Sequence, residues 1–191
     1  EHNAFFINGV FYSYHDLAAV ISKIRKSIQV KTNDTEKIIG LVTNDDIETY
    51  SAIIALWFEG KAYVPLSPES PIDRNKNIIA QADIITVLDS SEKVFLSELQ
   101  IIKTKKLPKT KIDLIPKKIF ENASVYMLFT SGTTGIPKGV PINRTNLNGI
   151  INALEAMKLD INENDRCLQM SELTFDVSIT SFLYPLLKGA C

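Results

Sequence analysis

YMLFTSGTTGIPKGV, running from Tyr126 to Val140, is the stretch on which the fold turns. Its apolar start reads as the end of a buried strand. The string that follows holds four Thr or Ser hydroxyls, three glycines and one lysine. A strand running into such a loop is a recipe for holding phosphate. Glycines let backbone N–H groups approach an anion closely. Thr130, Ser131, Thr133 and Thr134 add hydroxyl donors, and Lys138 adds a point charge. The order is not that of a Walker loop, because Gly139 rather than Ser or Thr follows the lysine, and it is not G-x-G-x-x-G either. The plain alternative, a surface turn, leaves the hydroxyls and the lysine without a purpose.

Outward from this loop, strands and helices alternate. Upstream, Leu17, Ile21, Ile24 and Ile28 recur at helical spacing, predicting a helix over about 14–29 with Ser13 and Asp16 as a capping box. KIIGLVT (Lys37–Thr43) reads as a buried strand. Asn44, Asp45 and Asp46 then lead into a helix over about 45–58, whose first turn favours carboxylates. Capping is the preferred role for the aspartate pair, with a metal site as the alternative. Ala62–Leu66 reads as a strand ended by Pro65, Pro68 and Pro71. A helix over about 71–82 and a strand over Asp83–Leu88 follow. Beyond these, the pattern predicts a strand over about 124–129 and a helix over about 145–157. It then predicts a strand over about 165–170 and a helix from Asp176 to about Lys188, capped by Gly189. The expected fold class is α/β, a parallel doubly wound sheet flanked by helices.

The bulk numbers agree with such a chain. Its 191 residues are 45% hydrophobic with net charge −1, enough for a core and without the basic excess that nucleic acid or an acidic membrane surface demands. No apolar run nears the ~20 residues that span a bilayer. No secretory signal opens the chain, and two cysteines make no disulfide framework, so a cytoplasmic setting is expected. KTKKLPKTKIDLIPKK (Lys103–Lys118) carries seven lysines. It reads as a solvated linker and the best internal boundary, with an anion-binding arm as the other reading. His2 and His15 look peripheral, and Cys167 is expected in the core.

The string Tyr-x-x-x-Thr-Ser-Gly-Thr-Thr-Gly-x-Pro-Lys-Gly closely resembles the phosphate-loop signature of the adenylate-forming (AMP-binding) enzymes. That superfamily includes acyl-CoA ligases, luciferases and the amino-acid-activating domains of peptide synthetases. GKAYVPLSPESP resembles the family's Gly-Ala-Tyr-Val-Pro-Leu-x-Pro segment, with Lys61 where a second Gly or Ala is usual. LTFDVSITSF resembles its Phe-Asp-x-Ser segment, and PINRTNL has Arg144 where a histidine is common. The resemblance covers essentially the whole chain. It implies that residues 1–191 are the N-terminal portion of an adenylation domain, with a sub-boundary in 103–118 and the C-terminal catalytic domain absent.

What the resemblance implies can be stated by residue. Thr130, Ser131, Gly132, Thr133, Thr134, Gly135 and Lys138 would hold the β- and γ-phosphates of ATP, with Lys138 also stabilising the leaving pyrophosphate. Asp176 would pair with the α-ammonium of an amino acid, as a buried ammonium requires; a plain helix N-cap is the other role for that residue, and the two are compatible. Val177 and Thr180 would face the substrate side chain. No metal ligand is expected here: Mg²⁺ would be held mostly outside this chain. Phosphopantetheine on a carrier protein would accept the aminoacyl group. This places the chain in the branch of peptide-synthetase adenylation domains and D-alanine–carrier-protein ligases. A carboxylic acid–CoA ligase and a non-catalytic nucleotide- or partner-binding module are the alternatives. By itself the chain is expected not to turn over.

Overall fold

A computed structural model describes residues 2–93, 98–130 and 137–191. β1 (Asn3–Ile7) and β2 (Val10–Ser13) form an antiparallel hairpin. Its turn puts Asn8 and Gly9 at φ 51° and 81°, the pair of positive angles that an Asn-Gly turn accepts. α1 (Tyr14–Lys31) starts at Ser13 with the expected reciprocal box, since Asp16 N donates to Ser13 Oγ and Ser13 N to Asp16 Oδ2. It buries Leu17, Ile21, Ile24 and Ile28.

The remaining elements build one sheet. They are β3 (Ile38–Val42), α2 (Ile47–Phe58), β4 (Ala62–Leu66), α3 (Ile72–Gln81), β5 (Thr86–Asp89), β6 (Gln100–Lys103), β7 (Ser124–Thr130), β8 (Lys138–Asn143), α4 (Arg144–Ala156) and α5 (Val177–Leu187). The strand order is β6-β5-β3-β4-β7-β8. All neighbouring pairs are parallel except β7 with β8.

The pleat sends alternate side chains to opposite faces. Ile39, Leu41, Tyr63, Leu88 and Leu128 pack toward α1 and α2, whereas Val42, Val64, Leu66 and Val87 pack toward α3. Gly40 sits on the α3 face, where an added Cβ would lie 2.9 Å from Val87 Cγ2 and 3.1 Å from Leu66 Cδ1. α5 joins the first core through Phe182, whose ring lies 5.4 Å from that of Tyr50.

Four features differ from the sequence expectations. Residues 165–170 form no strand: Cys167 N donates to Cys191 O at 2.8 Å and Cys191 N to Asp165 O at 3.0 Å, and no ladder extends beyond this pair. Cys167 is accordingly half-buried rather than core. The strand expected from Asp83 begins at Thr86, because Asp83 takes a turn conformation at φ 50°. β8 replaces a direct passage from the glycine loop to a helix.

The lysine-rich segment is exposed from Pro108 to Lys118, and several of its charges are paired. Lys103, Lys105, Lys106 and Lys117 pair with Asp89, Asp46, Glu92 and Glu59. The Arg25 guanidinium donates to the carbonyls of Asp113 and Ile115 at 2.8 Å each. Strands before and after the segment belong to the same six-stranded sheet.

Candidate functional site

β7 carries its side chains to the carboxyl end of the sheet, where ligands gather in open α/β folds. Thr130, its last residue, is opposite Lys138, the first residue of β8. Both are exposed, and opposed residues of an antiparallel pair project to one face, here the face of Tyr126 and Leu128. A hydroxyl and an ammonium thus flank the mouth of the glycine loop, donors suited to phosphate oxygens. Ser131, Gly132, Thr133, Thr134 and Gly135 lie outside the described residues.

One residue before Thr130, Phe129 is opposite Gly139. A Cβ on Gly139 would fall 3.0 Å from Phe129 Cζ and 2.8 Å from Met127 Sδ, so this glycine admits the ring. On the other side, Arg74 Nη2 donates to the Phe129 carbonyl at 3.2 Å. Sequence reasoning missed Arg74, because its partner is a backbone carbonyl fifty-five residues away.

Asp176 caps α5: its Oδ1 accepts from Val177 N at 2.8 Å. The carboxyl is exposed. Burial, then the Asp176 charge, pushes the Tyr126 phenol above its ordinary value of 10.0. Phe175, the residue before Asp176, lines a cleft of about 170 Å³ together with Phe129 of β7. Val177 is 53% exposed. Thr180 is half-buried, and its Oγ1 donates to Val177 O at 2.9 Å, one turn back on the same side of the helix.

A second cleft, of about 480 Å³, opens at the ends of β3 and β4 between Asn44, Asp45, Ser67, Glu69 and Glu172. Asp46, not Asp45, caps α2, accepting from Thr49 N at 2.9 Å. Asp45 sits at φ 49° outside the helix and accepts from Tyr50 Oη at 2.9 Å. Among the described residues no group of three or more His, Cys, Asp or Glu side chains could hold a metal ion. No helix there is long and apolar enough to cross a membrane.

Of the two departures from the family's pattern, the one at Lys61 has a local explanation. Lys61 is buried, and its Nζ donates to the carbonyls of Asn33 and Glu36, closing the turn between α1 and β3. Burial holds this ammonium below its usual 10.5. Arg144 opens α4 after the N-cap Asn143, with its backbone N–H on Ala123 O.

Comparison with known proteins places this geometry. Nonribosomal peptide synthetase sidC of Arthroderma benhamiae is 33% identical over 184 residues, 93% of this chain and 4% of that protein. The D-alanine–D-alanyl carrier protein ligase of Lactococcus lactis is 31% identical over 182 residues, 91% of this chain and 36% of that protein. The chain thus spans only a small part of the length of these relatives.

Among solved structures, the nonribosomal peptide synthetase FmoA3 in an AMPPNP-bound form superposes with a TM-score of 0.88 at 22% identity, covering 99% of this chain and 20% of that one. The Vibrio cholerae adenylation domain AlmE, in complex with glycyl-adenosine-5'-phosphate, gives 0.82 at 19% identity, covering 100% and 41%. At these identities the likeness is one of fold. The AMP-binding enzyme model, in contrast, matches residues 1–191, and by that match the chain belongs to the AMP-binding enzyme family.

Proposed function

We propose that this chain is the N-terminal part of an amino-acid-activating ligase. The reaction joins an amino acid and ATP into an aminoacyl-adenylate with release of pyrophosphate. The aminoacyl group then passes to the phosphopantetheine thiol of a carrier protein. One observation carries this reading: Phe175, the residue before the α5 cap Asp176, lines one cleft with Phe129, the next-to-last residue of the strand that leads into the glycine loop. An anionic group for the α-ammonium and a donor-rich loop for the phosphates thereby share one edge of the sheet.

In the first step a carboxylate oxygen of the amino acid attacks the α-phosphorus, and the bond from that phosphorus to the bridging oxygen of pyrophosphate breaks. Lys138 and the hydroxyl of Thr130 stand where charge gathers on the leaving phosphates, and fixed donors there lower the barrier. Asp176 orients the substrate by its ammonium, while Val177 and Thr180 border its side chain. Ser131, Gly132, Thr133, Thr134 and Gly135 complete the phosphate cradle in this reading. Mg²⁺, when bound, supplies further charge neutralisation on the phosphates; most of its protein ligands are assigned outside this chain. The chain by itself binds and orients but does not complete the reaction, and it acts in the cytoplasm on small molecules rather than on nucleic acid or membranes.

The test is amino-acid-dependent ATP–pyrophosphate exchange by the complete gene product, over a panel of amino acids and their desamino analogues. Exchange with one amino acid, abolished in Asp176→Ala, is expected. Exchange with desamino acids that ignores Asp176 would replace this reading with a carboxylic acid–CoA ligase. Silence on the whole panel would replace it with a binding module.

A further inference from the structure

We propose that Arg74 is a positioning residue for the phosphate loop, setting the angle at which β7 delivers Thr130 to the nucleotide. The inference rests on the reading of the glycine loop as the ATP phosphate site. Among the described residues, β4 and β7 have one registered pair, Tyr63 with Tyr126. Two residues further along β4 stands Pro65, which has no N–H to continue that ladder. On the β4 side the last residues of β7 have no further registered partner, while β8 pairs with them on the other edge as far as Thr130 opposite Lys138.

Arg74 takes over at this point. Its Nη2 donates to the carbonyl of Phe129 at 3.2 Å. The donor has a firm base: the neighbouring Asn75 is 1% exposed, and its Nδ2 donates to Ser67 O at 2.9 Å, pinning the start of α3 to the end of β4. Phe129 is held on its other side by the close approach of Gly139, whose added Cβ would meet the ring at 3.0 Å. Carbonyl and ring of one residue are thus fixed from two directions, immediately before Thr130. The guanidinium also borders a cleft of about 170 Å³ with Phe129 and Phe175, the residue before Asp176. A cation at this position ties the end of β7 to the start of α3, which Asn75 fastens to the end of β4.

A displaced loop loses nucleotide affinity without losing the fold. The experiment is calorimetric titration of Mg-AMPPNP into the complete gene product, with Arg74→Ala, Arg74→Lys and Lys138→Ala beside wild type, and with KM measured for ATP and for the amino acid. Arg74→Ala is expected to raise the AMPPNP Kd and the ATP KM about tenfold, one charged hydrogen bond's worth. The amino-acid KM and the Tm should stay unchanged, and Arg74→Lys should recover part of the loss. Should Arg74→Ala not fold, the same reading is taken from Arg74→Gln. Weak binding in Lys138→Ala with wild-type binding in Arg74→Ala overturns the positioning role alone. Wild-type binding in Lys138→Ala overturns the phosphate reading and this inference with it. Equal rises in both KM values would also overturn it, since they mark a general structural defect.

Discussion

Replacing Arg25 by alanine should cost about 3 kcal/mol of folding stability, and the figure can be built from its surroundings. The residue is 3% exposed and lies in α1, facing the C-terminal end of α2. Its Nε and Nη2 each lie 2.9 Å from Glu59 Oε1. The Glu59 side chain has no exposed surface, so breaking the pair leaves a charge in the interior. A fully orphaned buried charge costs roughly 3–5 kcal/mol. Here Gln29 Nε2 at 2.8 Å and Lys117 Nζ at 3.0 Å remain on Glu59, which puts the electrostatic loss toward the lower end. The guanidinium also stands 5.4 Å from the centre of the Phe58 ring, adding about 0.5–1 kcal/mol. Its bonds to Asp113 O and Ile115 O add little, because those residues are exposed and their carbonyls regain water. Urea unfolding followed by tryptophan fluorescence measures the change through the midpoint at constant slope. The pairing argument also fixes the double variant: Arg25→Met with Glu59→Leu should stand within about 1 kcal/mol of wild type, since apolar replacements of a buried pair are often neutral. A loss below about 1 kcal/mol in Arg25→Ala, or a double variant as weak as the sum of its singles, would refute the reasoning.

Three further outcomes follow from the same coordinates. Gly40→Ala should cost about 1–3 kcal/mol in urea unfolding, because its methyl would meet branched side chains at 2.9 to 3.2 Å in a filled layer. Gly9→Ala should cost about 1 kcal/mol, through backbone strain alone: φ is 81° and nothing lies within 4 Å of the new Cβ. Asp89 gives a pH signature. Burial raises its pKa, but the Lys103 ammonium at 2.7 Å and donors from Ser91 and Asn44 outweigh that and hold it below 3.8. The folded value is depressed, so the stabilisation is present at neutral pH and is lost as the pH falls below about 4. Urea midpoints between pH 3 and 7 should accordingly drop more steeply in wild type than in Asp89→Asn.

The parallel core was legible because its signals are local and strong. β4 falls on Ala62–Leu66 as expected from a β-branched and aromatic run between glycine and prolines. The start of α1 at Ser13 was readable from two side chains three residues apart. What went unread depended on partners distant in sequence. β8 is a poor strand by composition, with Gly139 and Pro141, and exists because β7 offers it a ladder. The β1–β2 hairpin did carry a signal, the Asn8-Gly9 pair between alternating apolar residues, and a search for two-residue turns would have found it. Residues 165–170 have the alternation of a strand but only one pair of hydrogen bonds to support it. At the candidate site, Lys138 and Asp176 are proposed through resemblance to a family string. Arg74 is not, since no pattern along the chain announces a guanidinium that serves a remote carbonyl.

The reversed strand β8 has one more consequence, for the behaviour of the chain in company. Lying last in the sheet, it offers an outer edge to any other molecule with a strand to add. It is poorly made for that use. Pro141 withholds a donor, Lys138 brings a charge, and the residues from Lys138 to Pro141 are all exposed. At the opposite border β6 is four residues long and ends in Lys103, with Lys105 and Lys106 just beyond. A sheet bounded in this way resists stacking side by side into aggregates, and Lys138, the lysine proposed for phosphate, helps to guard the edge.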